Sequence, residues 1–178
     1  MPRTSKTVRF TAQLSQSENE FGWHFLRLDA KSVAGLKFEE NVKSRRVVCT
    51  LNDSHTFQCA LLPWTKGGFC IIVNKKIREK LGIARGSRVK VELAKDESKY
   101  GLPMPEEFEE VLKQDPEGDR LFHALTPGKQ RTMLYSIAKI KDIDKRIHSA
   151  LIMLEHLKEN DGRIIYPELA EELKRPIF

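Results

Sequence analysis

The chain has 178 residues, of which 40% are hydrophobic and 31% charged. It therefore holds enough apolar material for one large domain, or for a domain and a smaller module. The longest apolar runs, residues 69–73 and 150–154, are far shorter than the roughly 18 residues of a membrane-spanning helix. Composition excludes a collagen and a disulfide knot, and we expect no membrane insertion.

The charge is divided unevenly along the chain. Residues 1–100 hold 19 Lys+Arg and 10 Asp+Glu, whereas residues 101–178 hold 12 and 15. The net charge of +6 is thus the sum of a basic half (+9) and a slightly acidic half (−3), which indicates two modules. Gly101, Pro103 and Pro105 mark the change as a linker. We predict a small barrel over residues 5–97, a helical module over 103–160 and a C-terminal tail over 161–178.

The basic half has the two-residue periodicity of strands. The predicted strands cover residues 8–14, 23–28, 46–51, 56–62, 69–73 and 87–93. A short helix is predicted over residues 75–81, closed by Gly82. Six short strands at this spacing favour a small barrel or a sandwich.

The two central strands permit a prediction of register. Cys49 and Leu51 share one face of the first strand, and Phe57 and Cys59 share one face of the second. Opposed residues of an antiparallel pair lie on the same face. With a loop over residues 53–55, Leu51 pairs with Phe57 and Cys49 pairs with Cys59. We therefore expect the two thiols to be cross-strand neighbours in the reduced state.

The second half has the spacing of helices. Helix starts are predicted at Pro105, at Asp115 with Pro116, at Thr126 with Pro127, and at Asp142. In the helix after Asp142, one face carries the apolar residues Ile143, Ile147, Leu151 and Leu154. A last short helix is predicted over residues 167–173, so the fold class is α+β.

The first module resembles a small barrel domain family of unknown function. The matching segments are residues 47–52, 57–63, 68, 72–82 and 86–91. The family usually has Asp where this chain has Ser87, and Gly after the turn asparagine where this chain has Asp53. The resemblance implies a double-split barrel with an architecture related to AbrB-like proteins.

The second module resembles the YdeI/OmpD-associated, or bacteriocin-protection, family. The matching segments are residues 105–108, 115–116, 122, 125–131, 138–139 and 145–147. The two resemblances together cover about residues 5–158. They imply no enzyme activity, and fold alone does not establish function.

No sequence pattern predicts a catalytic centre, a metal site or a cofactor site. His148 and His156 are eight residues apart on one helix, whereas a pair four apart suits a metal better. The three cysteines, Cys49, Cys59 and Cys70, lack C-x-x-C spacing. Because no pattern predicts a catalytic centre, we expect a protein that is not an enzyme. Because no secretory signal is visible, we expect reduced thiols and a cytoplasmic location.

Basic side chains of the barrel are candidates for contact with an anion, which could be a nucleic acid or an acidic protein. They are Arg45, Arg46, Lys66, Lys75, Lys76, Arg78, Arg85 and Arg88. Trp23 and Trp64 could stack on bases. The alternative is an ordinary solvated face. AbrB-like proteins form intertwined dimers, but this chain is long enough to complete its own barrel, so we expect a monomer or a weak dimer.

A second basic patch is predicted in the helical module. It consists of Lys129, Arg131, Lys139, Lys145 and Arg146. These residues could bind an anion, but salt bridges to Asp142, Asp144 and the acidic residues 106–110 are the favoured alternative. We expect a non-enzymatic cytoplasmic binding protein, and the resemblance to the YdeI/OmpD-associated family implies a role in stress or envelope protection. Nucleic-acid binding by the basic barrel face is the alternative.

Overall fold

A computed structural model describes residues 6–40, 42 and 44–176, with only the backbone of Lys66. The chain divides into two compact units between Glu97 and Ser98. The first unit is built from strands and the second from helices, which confirms the α+β class.

Six antiparallel strands of the first unit close into a barrel. Their bounds are β1 Thr7–Gln16, β2 His24–Leu28, β3 Arg45–Leu51, β4 His55–Trp64, β5 Gly68–Ile72 and β6 Arg88–Lys95. Their order around the barrel is β1-β2-β5-β4-β3-β6. All six predicted strands are therefore present. The short helix α1, Ala30–Val33, and the 3-10 turn after it, Ala34–Leu36, were not predicted because such short elements have no periodicity to detect.

Alternate residues of the strands point into the barrel and fill it. On β3, Val47, Cys49 and Leu51 are completely buried, while the residues between them are only partly buried. This alternation is the two-residue period of a strand with one face on a core. It places the residues between the core positions on the outer surface of the barrel, where a ligand could reach them.

The β3–β4 hairpin has a different register from the predicted one. Cys49 pairs with Phe57, and Val47 pairs with Cys59, so the predicted direct pairing of the two thiols is wrong by two residues. The turn begins one residue earlier, because Asn52 and Asp53 both adopt positive φ angles of 50° and 56°, a conformation that Asn and Asp tolerate. The shift preserves the predicted common face, and the Cys49 and Cys59 side chains are hydrogen-bonded.

Helix α2, Lys75–Leu81, links β5 to β6 and has the predicted bounds. Its first turn is capped by the Asn74 side chain, which accepts a hydrogen bond from the Ile77 backbone N–H at 2.9 Å. Gly82 ends it with a φ of 63°, which glycine adopts at no steric cost.

Within its described residues, the second unit contains five helices. Their bounds are α3 Glu106–Gln114, α4 Pro116–Ala124, α5 Pro127–Ala138, α6 Ile143–Glu159 and α7 Tyr166–Glu172. The Asp115 and Asp142 side chains accept hydrogen bonds from the backbone N–H groups of Gly118 and Lys145, each at 2.9 Å, which confirms both predicted caps. Thr126 precedes Pro127 as predicted, but in the described structure its hydroxyl makes no cap.

The helices surround their own apolar core. Phe108 and Phe122 are fully buried and meet edge to face, with ring centroids 5.0 Å apart. The C-terminal segment joins this core, since Leu169 of α7 is buried in it. The buried His156 fixes the same segment: it accepts a hydrogen bond at Nε2 from the Ile165 N–H at 3.0 Å, so its Nδ1–H donates to Glu172 at 2.9 Å.

Candidate functional site

Arg27 and two aromatic residues, Phe25 and Trp64, lie together on the outside of the barrel. Phe25 and Arg27 are two residues apart on β2, so they share its outward face. Trp64, at the end of β4, packs against the Phe25 ring with centroids 4.7 Å apart. The Arg27 guanidinium lies over the Trp64 ring, 5.8 Å from its centroid. Arg27 and Trp64 meet because β5 lies between β2 and β4 and pairs with both strands.

Arg27 and Trp64 line a first cavity of about 620 Å³. The rest of the lining comes from the end of β1, from Phe25, and from Arg85 and Gly86 before β6. Glu18 contributes one carboxylate. Two guanidinium groups therefore face this cavity against one acidic side chain.

The same two residues line a second cavity of about 480 Å³. Lys31 and Asp29 contribute its other charges, and Thr65, Gly67 and Gly68 belong to its lining. We call the two cavities together the Trp64 cleft, defined by Phe25, Arg27, Lys31, Trp64 and Arg85.

The Trp64 cleft has the chemistry to hold a planar, negatively charged group. An indole ring offers a face for stacking, and guanidinium groups donate paired hydrogen bonds to phosphate or carboxylate. The cation–π contact orients the Arg27 guanidinium before any ligand arrives. Each cavity has the size of a small-molecule site.

The structure brings some of the predicted basic residues to this cleft. Arg85 lines the first cavity. Arg88 is exposed and pairs in register with Gln13, another lining residue. Lys66 belongs to the turn that borders the second cavity, but its side chain lies outside the described atoms.

Other predicted basic residues of the barrel have local partners. Arg45 lies over the Phe69 ring, 5.2 Å from its centroid. Arg78 donates to the Val73 carbonyl at 2.8 Å and so ties α2 to the end of β5. Lys75 pairs with Glu79, one turn along α2. Arg46 is partly buried at the start of β3, and Lys76 is exposed on α2.

Sequence reasoning missed the two residues that surround Trp64. Arg27 and Phe25 occur in a predicted strand, and their spacing alone places them on one face. Their nearness to Trp64 follows from the strand order, which the local pattern does not reveal. Trp23 lines neither cavity, but its backbone N–H donates to the hydroxyl of Ser17, a lining residue of the first, at 2.8 Å. Its ring is 54% exposed and contacts Phe21, with centroids 5.9 Å apart.

The cysteines lie in the barrel core as free thiols. The hydrogen bond with Cys59, together with burial, raises the pKa of the Cys49 thiol. Burial also raises the pKa of Cys70. Thiols of this kind are poor nucleophiles at neutral pH, so they act as small apolar residues of the core.

Cations of the predicted helical patch have structural partners or stand exposed. Arg146 donates to the Glu107 carboxylate at 2.8 Å and, through Nε and Nη2, to the Ile140 carbonyl at 3.0 and 2.7 Å. The hydrogen bond from Arg146 to the Glu107 carboxylate lowers the pKa of Glu107. Lys139 lies over the Tyr135 ring, 4.3 Å from its centroid. The others, Lys129, Arg131 and Lys145, are exposed or partly buried. Arg146 thus makes the salt bridge that the sequence analysis named as the alternative.

A second ion pair joins helices of this unit. Lys158 of α6 donates to the Asp115 carboxylate at 2.8 Å. The contact lowers the pKa of Asp115 and raises that of Lys158. The same carboxylate caps α4, so Asp115 holds the start of α4 against α6.

A hydrogen-bonded chain joins the beginning of the helical unit to α4. The Tyr100 hydroxyl contacts His123 Nε2 at 2.7 Å, and His123 Nδ1 contacts the Asp119 carbonyl and carboxylate at 2.9 and 3.1 Å. The arrangement places the imidazole proton on Nδ1, because a carbonyl only accepts, and leaves Nε2 to accept from Tyr100.

Neither a metal site nor a membrane-spanning helix is found among the described residues. They contain no cluster of three or more His, Cys, Asp or Glu side chains placed to hold a metal ion. Among their helices, none is both long and apolar enough to cross a bilayer.

Comparison with known families assigns both units. The protein consists of a six-stranded barrel, which carries the Trp64 cleft, followed by a helical module. Residues 10–93 match the family described as Domain of unknown function (DUF1905), and residues 102–160 match the family described as Bacteriocin-protection, YdeI or OmpD-Associated. The barrel unit thus matches DUF1905, and the helical unit matches the YdeI/OmpD-associated family. No curated protein matches it.

Proposed function

We propose that this protein is a non-enzymatic, cytoplasmic binding protein that serves in bacteriocin protection, as its family description indicates. Several groups with shifted pKa values are engaged in contacts within the fold, which gives no support to a catalytic role for them. Glu107 is paired with Arg146, Asp115 with Lys158, and Cys49 with Cys59. The free thiols suit a reducing compartment.

The observation that carries the binding role is the position of the Arg27 guanidinium over Trp64, between two cavities. An exposed guanidinium next to an indole ring offers charge and a stacking face to the same ligand. Arg85 supplies a second cation in the first cavity. The ligand of the Trp64 cleft is therefore an anion with a planar group.

Nucleic acid is a second candidate for this ligand. Single-stranded nucleic acid binds where bases stack on aromatic side chains and cations follow the backbone. Trp64 offers the stacking face, and Arg27, Arg85 and Arg88 surround it or border its first cavity. The resemblance of the barrel to AbrB-like architecture supports this candidate by analogy.

The test compares the affinity of a labelled oligothymidylate and of a labelled oligoglutamate for the full chain. The double variant Arg27→Gln with Arg85→Gln removes two positive charges from the Trp64 cleft. Lys75→Gln with Lys76→Gln removes the same charge from α2 and serves as the matched control. We expect the cleft variant to weaken binding about tenfold and the control to change it less than about twofold.

Trp64→Ala distinguishes the two kinds of ligand. Loss of one stacked base is worth about 1–3 kcal/mol, so oligothymidylate binding should weaken roughly tenfold or more, while oligoglutamate binding should change little. Equal weakening by the cleft variant and the α2 control would overturn the assignment of the site to the cleft. If neither probe binds at low salt, the anion-binding function itself is wrong.

A further inference from the structure

The exposed face of α6 in the helical unit carries a row of apolar side chains. Ile143, Ile147 and Leu151 follow one another at four-residue intervals and are 59%, 36% and 52% exposed. The sequence pattern grouped them with Leu154, yet Leu154 is fully buried. The α6 helix is thus apolar on its core face and on a second face, and a helix of this kind usually packs against partners on both sides.

A groove runs between this row and α3. It has a volume of about 580 Å³, and its apolar lining is Val111, Ile147 and Leu151. The row from Ile143 to Leu151 rises about 12 Å along the helix axis, which equals a little over two helical turns. A groove between two helices, with apolar anchors at this spacing, fits another helix.

Carboxylates form the polar lining of the groove. Glu106, Glu107, Glu110 and Asp115 contribute to it, together with Gln114. Arg146 neutralises Glu107, and Lys158 neutralises Asp115. Glu106 and Glu110, one turn apart on α3, are exposed, and Glu110 meets a cation only at 3.9 Å from Lys113. Among the described residues that line the groove, none is Lys or Arg.

We propose that the α3–α6 groove binds a cationic amphipathic helix. Apolar side chains of the ligand would cover Ile147 and Leu151, and its lysines or arginines would meet Glu106 and Glu110. Charge complementarity selects this occupant over an acidic or neutral helix. Such helices are typical of peptides that bind anionic membranes, which agrees with a protective role. The proposal goes beyond the Trp64 cleft, which lies in the other unit and has the opposite charge preference.

The experiment measures the affinity of a labelled synthetic peptide of about 16 residues for the full chain. The peptide consists of Leu and Lys, arranged so that the leucines form one stripe of a helix. The first comparison peptide has the same composition with its leucines scrambled. The second keeps the leucine stripe and has Glu in place of Lys. We expect the Leu/Lys helix to bind at least about tenfold more tightly than either comparison peptide.

Two pairs of variants locate the site. Leu151→Ser removes an apolar anchor from the groove, and Tyr135→Ser removes a side chain of equal 52% exposure from α5. Glu106→Gln with Glu110→Gln removes charge from the rim, and Glu39→Gln with Glu40→Gln removes it from exposed positions of the barrel. We expect about tenfold weaker binding for Leu151→Ser and a loss of a fewfold for the rim variant, with little change for either control.

Three results would overturn the proposal. The first is equal binding of the wild type and of both groove variants, when circular dichroism shows that all are folded. The second is equal binding of the Glu-containing peptide. The third is self-association of the wild type that Leu151→Ser abolishes, since the groove would then be an interface between copies of this chain. Loss of anion binding by Trp64 cleft variants leaves the peptide result unaffected, so the two proposals fail separately.

Discussion

Arginine has different roles in the two units. In the barrel, Arg27 and Arg45 lie over the aromatic rings of Trp64 and Phe69. In the helical unit, Arg146 is enclosed by the Glu107 carboxylate and the Ile140 carbonyl. An arginine over a ring keeps its N–H groups available to a ligand. An arginine paired with a carboxylate and a carbonyl already donates most of its N–H groups within the protein. The number of cations in a region is therefore a poor guide to how many guanidinium groups remain available to a ligand.

The largest predicted effect tests whether the two units have separate cores. Phe122→Ala removes a fully buried ring from the helical core and should destabilise that unit by about 3–5 kcal/mol. Both tryptophans belong to the barrel, so their fluorescence reports on the barrel, while far-ultraviolet circular dichroism is dominated by the helices. We expect thermal unfolding followed by circular dichroism to shift and the tryptophan transition to stay.

The control for this prediction is Tyr135→Ala, which truncates an exposed side chain of the same unit and should change neither transition. A common shift of both signals in Phe122→Ala would show that the two units unfold as one, and the comparison of separate units would then fail.

The second prediction compares two arginines directly. Arg146→Met leaves Glu107 and the Ile140 carbonyl without their donor, so the helical transition should fall by several degrees. Arg27→Met removes an exposed guanidinium, and the barrel transition should remain within about one degree of the wild type. Differential scanning calorimetry measures both. Equal shifts for the two variants would mean that Arg27 has a structural role like that of Arg146.

Stability should respond to pH in opposite directions in the two units. The pKa values of Glu107 and Asp115 are lowered by Arg146 and Lys158. Below about pH 4, the unfolded helical unit binds protons that the folded one resists, so its stability falls as the pH falls. The raised pKa values of Cys49 and Cys70 have the opposite effect. Above about pH 8.5, the unfolded barrel loses thiol protons that the folded barrel keeps, so its stability falls as the pH rises.

Urea unfolding at a series of pH values, followed by the two unit-specific signals, checks this contrast. Arg146→Met should reduce the acid dependence of the helical signal, and Cys49→Ala should reduce the alkaline dependence of the barrel signal. An alkaline loss that is unchanged in Cys49→Ala would assign it to other groups.

The smallest predicted effect concerns the β3–β4 turn. Asp53 has a φ of 56°, where a residue with a Cβ is strained and glycine is not. Asp53→Gly should stabilise the barrel by up to about 1 kcal/mol, because the exposed pair of Asp53 with Lys90 at 3.4 Å contributes little. Urea unfolding followed by tryptophan fluorescence measures the change. Destabilisation would show that the Lys90 contact outweighs the backbone strain.

Local features of the fold were predictable from the sequence. Two-residue periodicity gave all six strands, and an acidic cap before a proline located the start of α4 at Asp115. The register of the central hairpin was not predictable from alternation, because a shift of two residues keeps every side chain on its face. The positive φ of Asn52 determines the register, and an asparagine can also adopt other backbone conformations.

The candidate site was only partly predictable, because its residues are distant in the sequence. Arg27, Trp64 and Arg85 meet through the strand order β6-β1-β2-β5-β4 of the closed barrel, which no local pattern encodes. The sequence indicated Trp64 and Arg85 by residue type alone. The sequence pattern placed Ile147 and Leu151 on one apolar face of a helix. It did not predict that these two side chains remain exposed while Leu154 is buried.

The most direct test of the account is a nuclear magnetic resonance titration of the two indole N–H groups. Trp64 lines both cavities of the cleft, whereas Trp23 lines neither and serves as the internal comparison; the Trp64→Phe variant assigns the signals. On addition of oligothymidylate at low salt, the Trp64 indole signal should move much further than the Trp23 signal. The shift should vanish at high salt and in the Arg27→Gln with Arg85→Gln variant. Binding that leaves Trp64 unmoved, or that shifts both indoles equally, would contradict the assignment of the anion site to the Trp64 cleft.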